Sequence, residues 1–236
     1  MTRARRDSNP TGAACGSKRI GERSLPVAAL LDAFPLMSDE LKQLRSESTL
    51  LKREFYARPT VEVARDCLGK ILVHGKTAGQ IVEVEAYLGV KDRAAHAWHG
   101  VTDRTRVIFG PPGHAYVYLI YGMYECLNFV ADSEGQAGCV LIRALEPLAG
   151  IAVMRRRRPA AKNVENLANG PGKLTLAMGI TRKLNGADLT RGALEVRRLR
   201  SEAPAKITVT PRIGIVHAAD WPLRFLIAGN RFVSQG

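Results

Sequence analysis

Between residues 115 and 131 the chain has the pattern of a β-hairpin and of little else. Aromatic and apolar residues fill two short runs, 116–120 and 124–130, and Tyr121-Gly122-Met123 separates them as a turn. Four of the six tyrosines, Tyr116, Tyr118, Tyr121 and Tyr124, fall inside this segment. Tyr116 and Tyr118 share one strand face, because side chains alternate along a strand. Tyr121 stands at the turn, where a side chain projects outward. Two readings stay open: an aromatic pair packed in a core, or exposed rings that stack on bases or wedge between them.

The remaining pattern places this hairpin in a mixed sheet. Residues 60–68 carry helical apolar spacing, with Thr60 as the expected cap and Gly69 as the stop. Residues 70–74 and 80–88 read as strands around a turn at 75–79. In the second strand Val82, Val84, Ala86 and Leu88 point one way, and Ile81, Glu83, Glu85 and Tyr87 the other. A long Gly-, His- and Arg-rich loop covers 90–115. A strand follows at 138–144, and Pro147 is expected to open a helix that ends at Arg155–Arg158 and Pro159. Gly170-Pro171-Gly172 leads into a helix from Lys173, and strands are expected at 193–198, 206–210, 213–217 and 223–227. No internal repeat is visible. The absence of a βαβ rhythm predicts a mixed α/β (α+β) fold: one compact domain over residues 46–236, with a curved, mainly antiparallel sheet and a protruding hairpin. Residues 1–45 read as a flexible arm, with a marginal helix at 25–36 and an alternative start at Met37.

Charge narrows the partners. The chain has 35 Lys and Arg against 22 Asp and Glu, a formal net charge of +13. Residues 1–36 hold six basic and three acidic side chains, so most of the excess lies in the domain. Such a balance suits an anionic polymer, although a solubility bias explains it equally well. The four cysteines show neither CxxC nor zinc-ligand spacing and read as reduced thiols of a cytoplasmic protein. No apolar run is long enough to span a bilayer, and a membrane partner is not expected.

Several side chains could carry chemistry. Glu85 beside Tyr87 at a strand end could act as a general base for a water, although by residue type this is also the pattern of a solvated strand face. Arg143 interrupts the apolar run Val140-Leu141-Ile142 and, if buried, needs a carboxylate, for which Glu85 is the natural candidate. Arg104 and Arg106 suit phosphate contacts, and Asn128 could read a base edge. Lys173 at a helix start suits one backbone phosphate, whereas Arg155–Arg158 suit a solvated helix end. His96 and His99 lack the further ligands that a metal centre needs, so neither metal nor cofactor is expected.

The ordered blocks Val82-Glu83-Val84-Glu85-Ala86-Tyr87-Leu88-Gly89, Ala95-His96, Tyr116-Val117-Tyr118-Leu119-Ile120-Tyr121-Gly122-Met123 and Cys126-Leu127-Asn128 resemble the alkyladenine (3-methyladenine) DNA glycosylase family. So do Val140-Leu141-Ile142-Arg143-Ala144-Leu145-Glu146-Pro147, Asn169-Gly170-Pro171-Gly172-Lys173-Leu174, Arg212-Ile213-Gly214-Ile215 and Pro222-Leu223-Arg224-Phe225. The resemblance runs from about residue 50 to the C-terminus. It implies a DNA repair enzyme that flips alkylated or deaminated purines out of double-stranded DNA and hydrolyses the glycosidic bond without cutting the strand. Glu85 would activate the water, and Arg143 and the carbonyl of Ile213 would help to hold it. Tyr87, His96 and Tyr118 would sandwich the base, backbone amides near Ala94 would meet its edge, and Asn128 would exclude the 2-amino group of guanine. Tyr121, with Met123 beside it, would enter the duplex. A monomer is the default expectation, cytoplasmic and nucleoid-associated in a bacterium.

Two departures stand out. Asp103 occupies the position where the resemblance leads one to expect Pro, which sets an anion beside the phosphate contacts, and Ile108 replaces a frequent Met. Two rival classes remain: a non-catalytic module that clamps distorted nucleic acid, and a small-molecule hydrolase with an aromatic pocket. The second leaves the charge and the turn tyrosine unexplained.

Overall fold

The computed structural model describes residues 38–201 and 205–234. The expected arm lies outside these residues up to position 37, and so does the helix expected at 25–36. Residues 39–45, also assigned to the arm, belong instead to helix α1, Asp39–Ser46. Its Leu41 is fully buried in a cluster with Ile71, Val73, Ala78 and Ala149.

Nine strands form one antiparallel sheet among the described residues. They are β1 (Ser48–Leu50), β2 (Ile71–His74), β3 (Thr77–Leu88), β4 (Ala115–Ile120), β5 (Tyr124–Ala131), β6 (Gly138–Ala149), β7 (Leu194–Leu199), β8 (Ile207–Thr210) and β9 (Arg224–Ile227). The order is β1-β7-β2-β3-β6-β5-β4, with β9 bridging β3 and β8. The helices are α2 (Arg53–Tyr56), α3 (Thr60–Cys67), α4 (Ile151–Arg157) and α5 (Pro171–Met178). They close the main core, where Tyr56, Leu72, Leu127, Phe129, Leu145 and Leu174 are fully buried. Tyr56 meets Phe129 edge-on, with ring centroids 6.1 Å apart, an arrangement favoured by the ring quadrupoles.

The hairpin of β4 and β5 pairs as its sequence predicts, from Ala115↔Phe129 to Ile120↔Tyr124. Elsewhere four local expectations fail. Thr60 does not cap α3: it occupies the first turn and donates its hydroxyl to Asp132 at 3.2 Å. The turn after β2 is only two residues long, so β3 begins at Thr77. Strand β6 runs on through Pro147, which is tolerated there because the ladder with β3 breaks register between Ala78 and Gly79. Residues 213–217 form no strand, and the alternating apolar residues there line a cleft instead.

The expected alternation in β3 also needs correction. Besides the break at Ala78, two β-bulges interrupt the β3–β6 ladder. Pairing passes from Ile81↔Leu145 to Glu83↔Ala144, skipping Val82, and then to Val84↔Ile142, skipping Arg143. Ile81 therefore joins Val84 and Ala86 in the main core, while Val82 packs with Ala144 and Phe232. Glu83, Glu85 and Tyr87 face away from Val84 and Ala86.

Candidate active site

Glu85 sits in the middle of β3 and is flanked by β6 through Leu141 and by β9 through Arg224. Glu83 and Glu85 are both 0% exposed, which overturns the solvated strand face. The bulge in β6 aims Arg143 at them. Arg143 Nε donates to Glu83 Oε1 at 2.8 Å, and Nη1 lies 3.1 Å from Glu85 Oε1. Burial opposes the Arg143 charge, but Glu85 and Glu83 outweigh it and push the guanidinium above its ordinary range. The expected pair exists, and Glu83 shares it.

Two more donors reach Glu85. The Ile213 amide donates to Oε1 at 2.8 Å, and the Tyr87 hydroxyl donates to Oε2 at 2.9 Å. Burial above all, and then the neighbouring carboxylate, push the Tyr87 phenol well above its usual range, so it stays protonated and donating. Glu83 accepts from Arg224 Nε at 2.8 Å, from the Ser234 hydroxyl at 2.7 Å and from the Ser234 amide at 2.5 Å.

A cavity of about 800 Å³ opens beside this floor. Its walls include Tyr87, Ala94, His96, Tyr118, Asn128 and Ile213, and it extends to Tyr121, Tyr124 and the start of α5. His96 and Tyr118 touch edge-on, with centroids 4.5 Å apart, so they form one wall and cannot themselves enclose a flat ring. His96 Nδ1 lies 3.0 Å from the Tyr116 hydroxyl. Burial, helped by the charge of Arg104, pushes the His96 imidazole down to about 4, so the wall is neutral at neutral pH. Tyr116 is 2% exposed and belongs to a small core cluster, which settles its case for packing.

Asn128 is buried between strands and donates to the Tyr116 carbonyl at 3.2 Å. The Ala94 amide, expected at a base edge, donates to Asp92 at 3.0 Å. Asp92 and Arg212, both fully buried side chains, form a two-bond pair at 2.5 and 3.0 Å. This pair ties the loop after β3 to the segment that carries Ile213.

The outer residues vary in their freedom. Tyr121 is 78% exposed and Met123 69%, as a turn projecting from the domain requires. The Met123 amide closes that turn on the Ile120 carbonyl at 3.1 Å. Tyr121 has φ 51°, a left-handed conformation uncommon for a side-chain-bearing residue. Arg104 lies 5.2 Å over the Tyr118 ring, and Arg106 pairs with Asp103 at 2.9 Å. Lys173 donates to Asn169 at 2.9 Å. At Gly172 a Cβ would stand 2.8 Å from Tyr124, so only glycine lets α5 approach the hairpin this closely. Arg157 and Arg158 are not a merely solvated helix end: both donate to backbone carbonyls, Arg157 to Ala177 and Arg158 to Asn166 and Leu167.

Among the described residues, no group of three or more His, Cys, Asp or Glu side chains is placed to hold a metal ion. No helix among them is long and apolar enough to cross a membrane. Glu83, Asp92, Arg212, Arg224 and Ser234 are site residues that motif reading left without a role. The signal for Glu83 was present, since it shares the face of Glu85 within reach of an Arg that needs a carboxylate.

The three groups that hold Glu85, namely Arg143, Tyr87 and Ile213, line an aromatic cleft that extends to an exposed aromatic turn. The model of the family described as methylpurine-DNA glycosylase (MPG) matches residues 54–231. A relative from Methanoculleus marisnigri is 52% identical over 191 residues, covering 78% of this chain and 98% of its own. One from Methanocella arvoryzae is 53% identical over 182 residues, covering 74% and 89%. One from Alkaliphilus oremlandii is 47% identical over 204 residues, covering 78% and 98%. All three carry a provisional name as 3-methyladenine DNA glycosylases. Site and relatives converge on one class of enzyme, the DNA glycosylases. Within it, the chain belongs to the methylpurine-DNA glycosylase family.

Proposed function

We propose that this protein removes alkylated and deaminated purines, among them 3-methyladenine, 7-methylguanine and hypoxanthine, from double-stranded DNA. The observation that carries this reading is the state of Glu85. It is 0% exposed behind the cleft-lining residues Arg143, Ile213 and Tyr87; the last two donate to its oxygens and Arg143 pairs with it at 3.1 Å. A carboxylate accepts at about four positions, so Oε2 retains capacity for one more donor. A water placed there gives its proton to Glu85 while its oxygen attacks C1′ of the sugar. The C1′–N bond breaks and its electron pair leaves with the base. Arg143 and the Ile213 carbonyl help to orient the water.

The flipped purine lies between Tyr87 and the wall of His96 and Tyr118, with Asn128 excluding the guanine 2-amino group. A cationic methylated purine gains cation–π attraction from these rings, and the neutral His96 adds no repulsion. Flipping costs a few kcal/mol and least for a damaged or mispaired base. Tyr121, with Met123 beside it, fills the vacated stack. Arg104, Arg106 and Lys173 meet phosphates. Arg106 does so in competition with Asp103. Water is the nucleophile, so the product is an abasic site in an uncut strand. The net charge of +13 makes binding weaken steeply with salt. The enzyme works as a cytoplasmic monomer, on the nucleoid in a bacterium, and the domain that begins at helix α1 carries the chemistry.

The test is base release from a hypoxanthine duplex and from a methylated duplex by wild type and Glu85→Gln. Release by wild type alone, with damaged-DNA binding kept in both, is expected. No release by wild type on either duplex, with binding intact, would favour a non-catalytic clamp.

A further inference from the structure

Glu83 is a fully buried carboxylate that the hydrolysis itself does not use, and its contacts differ in kind from those of Glu85. Four donors reach it. Oε1 takes Arg143 Nε, Arg224 Nε and the Ser234 hydroxyl, and Oε2 takes the Ser234 amide. Three of the four donors crowd onto Oε1, so Glu83 serves as the anchor of two arginines and of Ser234. Glu85 accepts two hydrogen bonds, one on each oxygen, and meets Arg143 as an ion pair on Oε1.

The guanidinium of Arg143 explains why the two carboxylates differ. A guanidinium beside a single carboxylate tends to form two parallel bonds, one to each oxygen. Arg143 does not. Its three nitrogens go to three groups: Nε to Glu83, Nη1 to Glu85, and Nη2 to the Ser234 hydroxyl at 3.3 Å. Holding Nε on Glu83 turns the fork aside, so only Nη1 remains to meet Glu85. Arg224 and Ser234 in turn hold Glu83 in place.

We propose that Glu83 is a positioning residue that keeps Arg143 on Oε1 of Glu85 and thereby reserves Oε2 for the attacking water. This rests on the reading of Glu85 as the base. Without the Glu83 charge, Arg143 turns its fork onto Glu85 and occupies Oε2.

The test is single-turnover release of hypoxanthine from duplex DNA, read beside affinity for an abasic-analogue duplex and the thermal unfolding midpoint. Glu83→Gln is expected to slow release by roughly tenfold or more, the scale of a misplaced reacting group. Its affinity should stay within about twofold of wild type, because base and phosphate contacts are untouched. Glu83→Asp keeps the charge that holds Arg143 Nε and should release base faster than Glu83→Gln, a rescue that mere filling of space at this position does not give. A folded Glu83→Gln that matches the wild-type rate overturns the proposal, as does a folded Glu83→Asp no faster than Glu83→Gln. Should Glu83→Gln not fold, Ser234→Ala decides: it removes one hydroxyl from Glu83 and Arg143, several-fold slower release supports the role, and an unchanged rate overturns it. An inactive wild type would instead overturn the excision reading on which this one stands.

Discussion

Arg212 carries its guanidinium 4.6 Å above the ring of Tyr87, and the same group donates to the Ala86 carbonyl and to both oxygens of Asp92. One buried side chain thus braces the aromatic wall, the end of β3 and the loop leading to His96. It also neighbours Ile213, whose amide reaches Glu85. A fully buried ion pair gains little over an apolar pair, but removing one partner strands a charge.

Asp92→Asn should therefore lower the unfolding free energy by about 3–5 kcal/mol, measured by urea denaturation. Replacing both members, Asp92→Leu with Arg212→Met, should lower it less than Asp92→Asn alone. A loss below about 1 kcal/mol for the single change would mean that the pair is not the brace described.

Tyr121 bears its side chain in a left-handed turn position while 78% exposed. Its conformation costs stability and its ring buries little, so Tyr121→Gly should stabilise the fold by about 0.5–1 kcal/mol. The same change should weaken binding to an abasic-analogue duplex by about tenfold, the scale of one lost stacking contact. Unfolding midpoints and titration of labelled duplex read the two effects separately. Equal affinity in both proteins would remove the wedge role.

His96 gives a pH signature. Its imidazole titrates at about 4 in the fold against 6.5 as the ordinary value, so the unfolded chain binds the extra proton first as pH falls. The His96 contribution is fully present above pH 6.5 and is lost as pH drops through about 4. Stability measured from pH 7 to 4 should decline more steeply in wild type than in His96→Gln, and proton NMR should place the His96 midpoint near 4. A midpoint near 6.5 would contradict a buried, neutral wall.

The hairpin and the Glu85–Arg143 pair were legible in the sequence for physical reasons. Alternation and turn chemistry act locally, and an Arg inside an apolar strand demands a carboxylate. Other features depended on tertiary context. Ile213 and Ile215 alternate like a strand because one face lines a cleft, and a cleft wall selects apolar residues as a sheet does. Pro147 opens a helix only where a helix would otherwise form, and here it sits at a break in a ladder. The pairing of Glu83 with Arg143 was within reach of the sequence, but nothing in its neighbours announced Arg224 and Ser234, which are remote in sequence.

The paired bulges in β3 and β6 have a consequence for how such a site can change. An insertion of one residue in a central strand ordinarily turns every later side chain to the wrong face. This sheet holds two of opposite sense, Val82 in one strand and Arg143 in its neighbour, and they cancel within a few residues. Beyond them the ladder keeps a parity indifferent to both. Core and candidate site thus share one stretch of β3, Val84 and Ala86 facing one way and Glu83, Glu85 and Tyr87 the other, and the flanking ladder keeps its register on either side of the paired bulges.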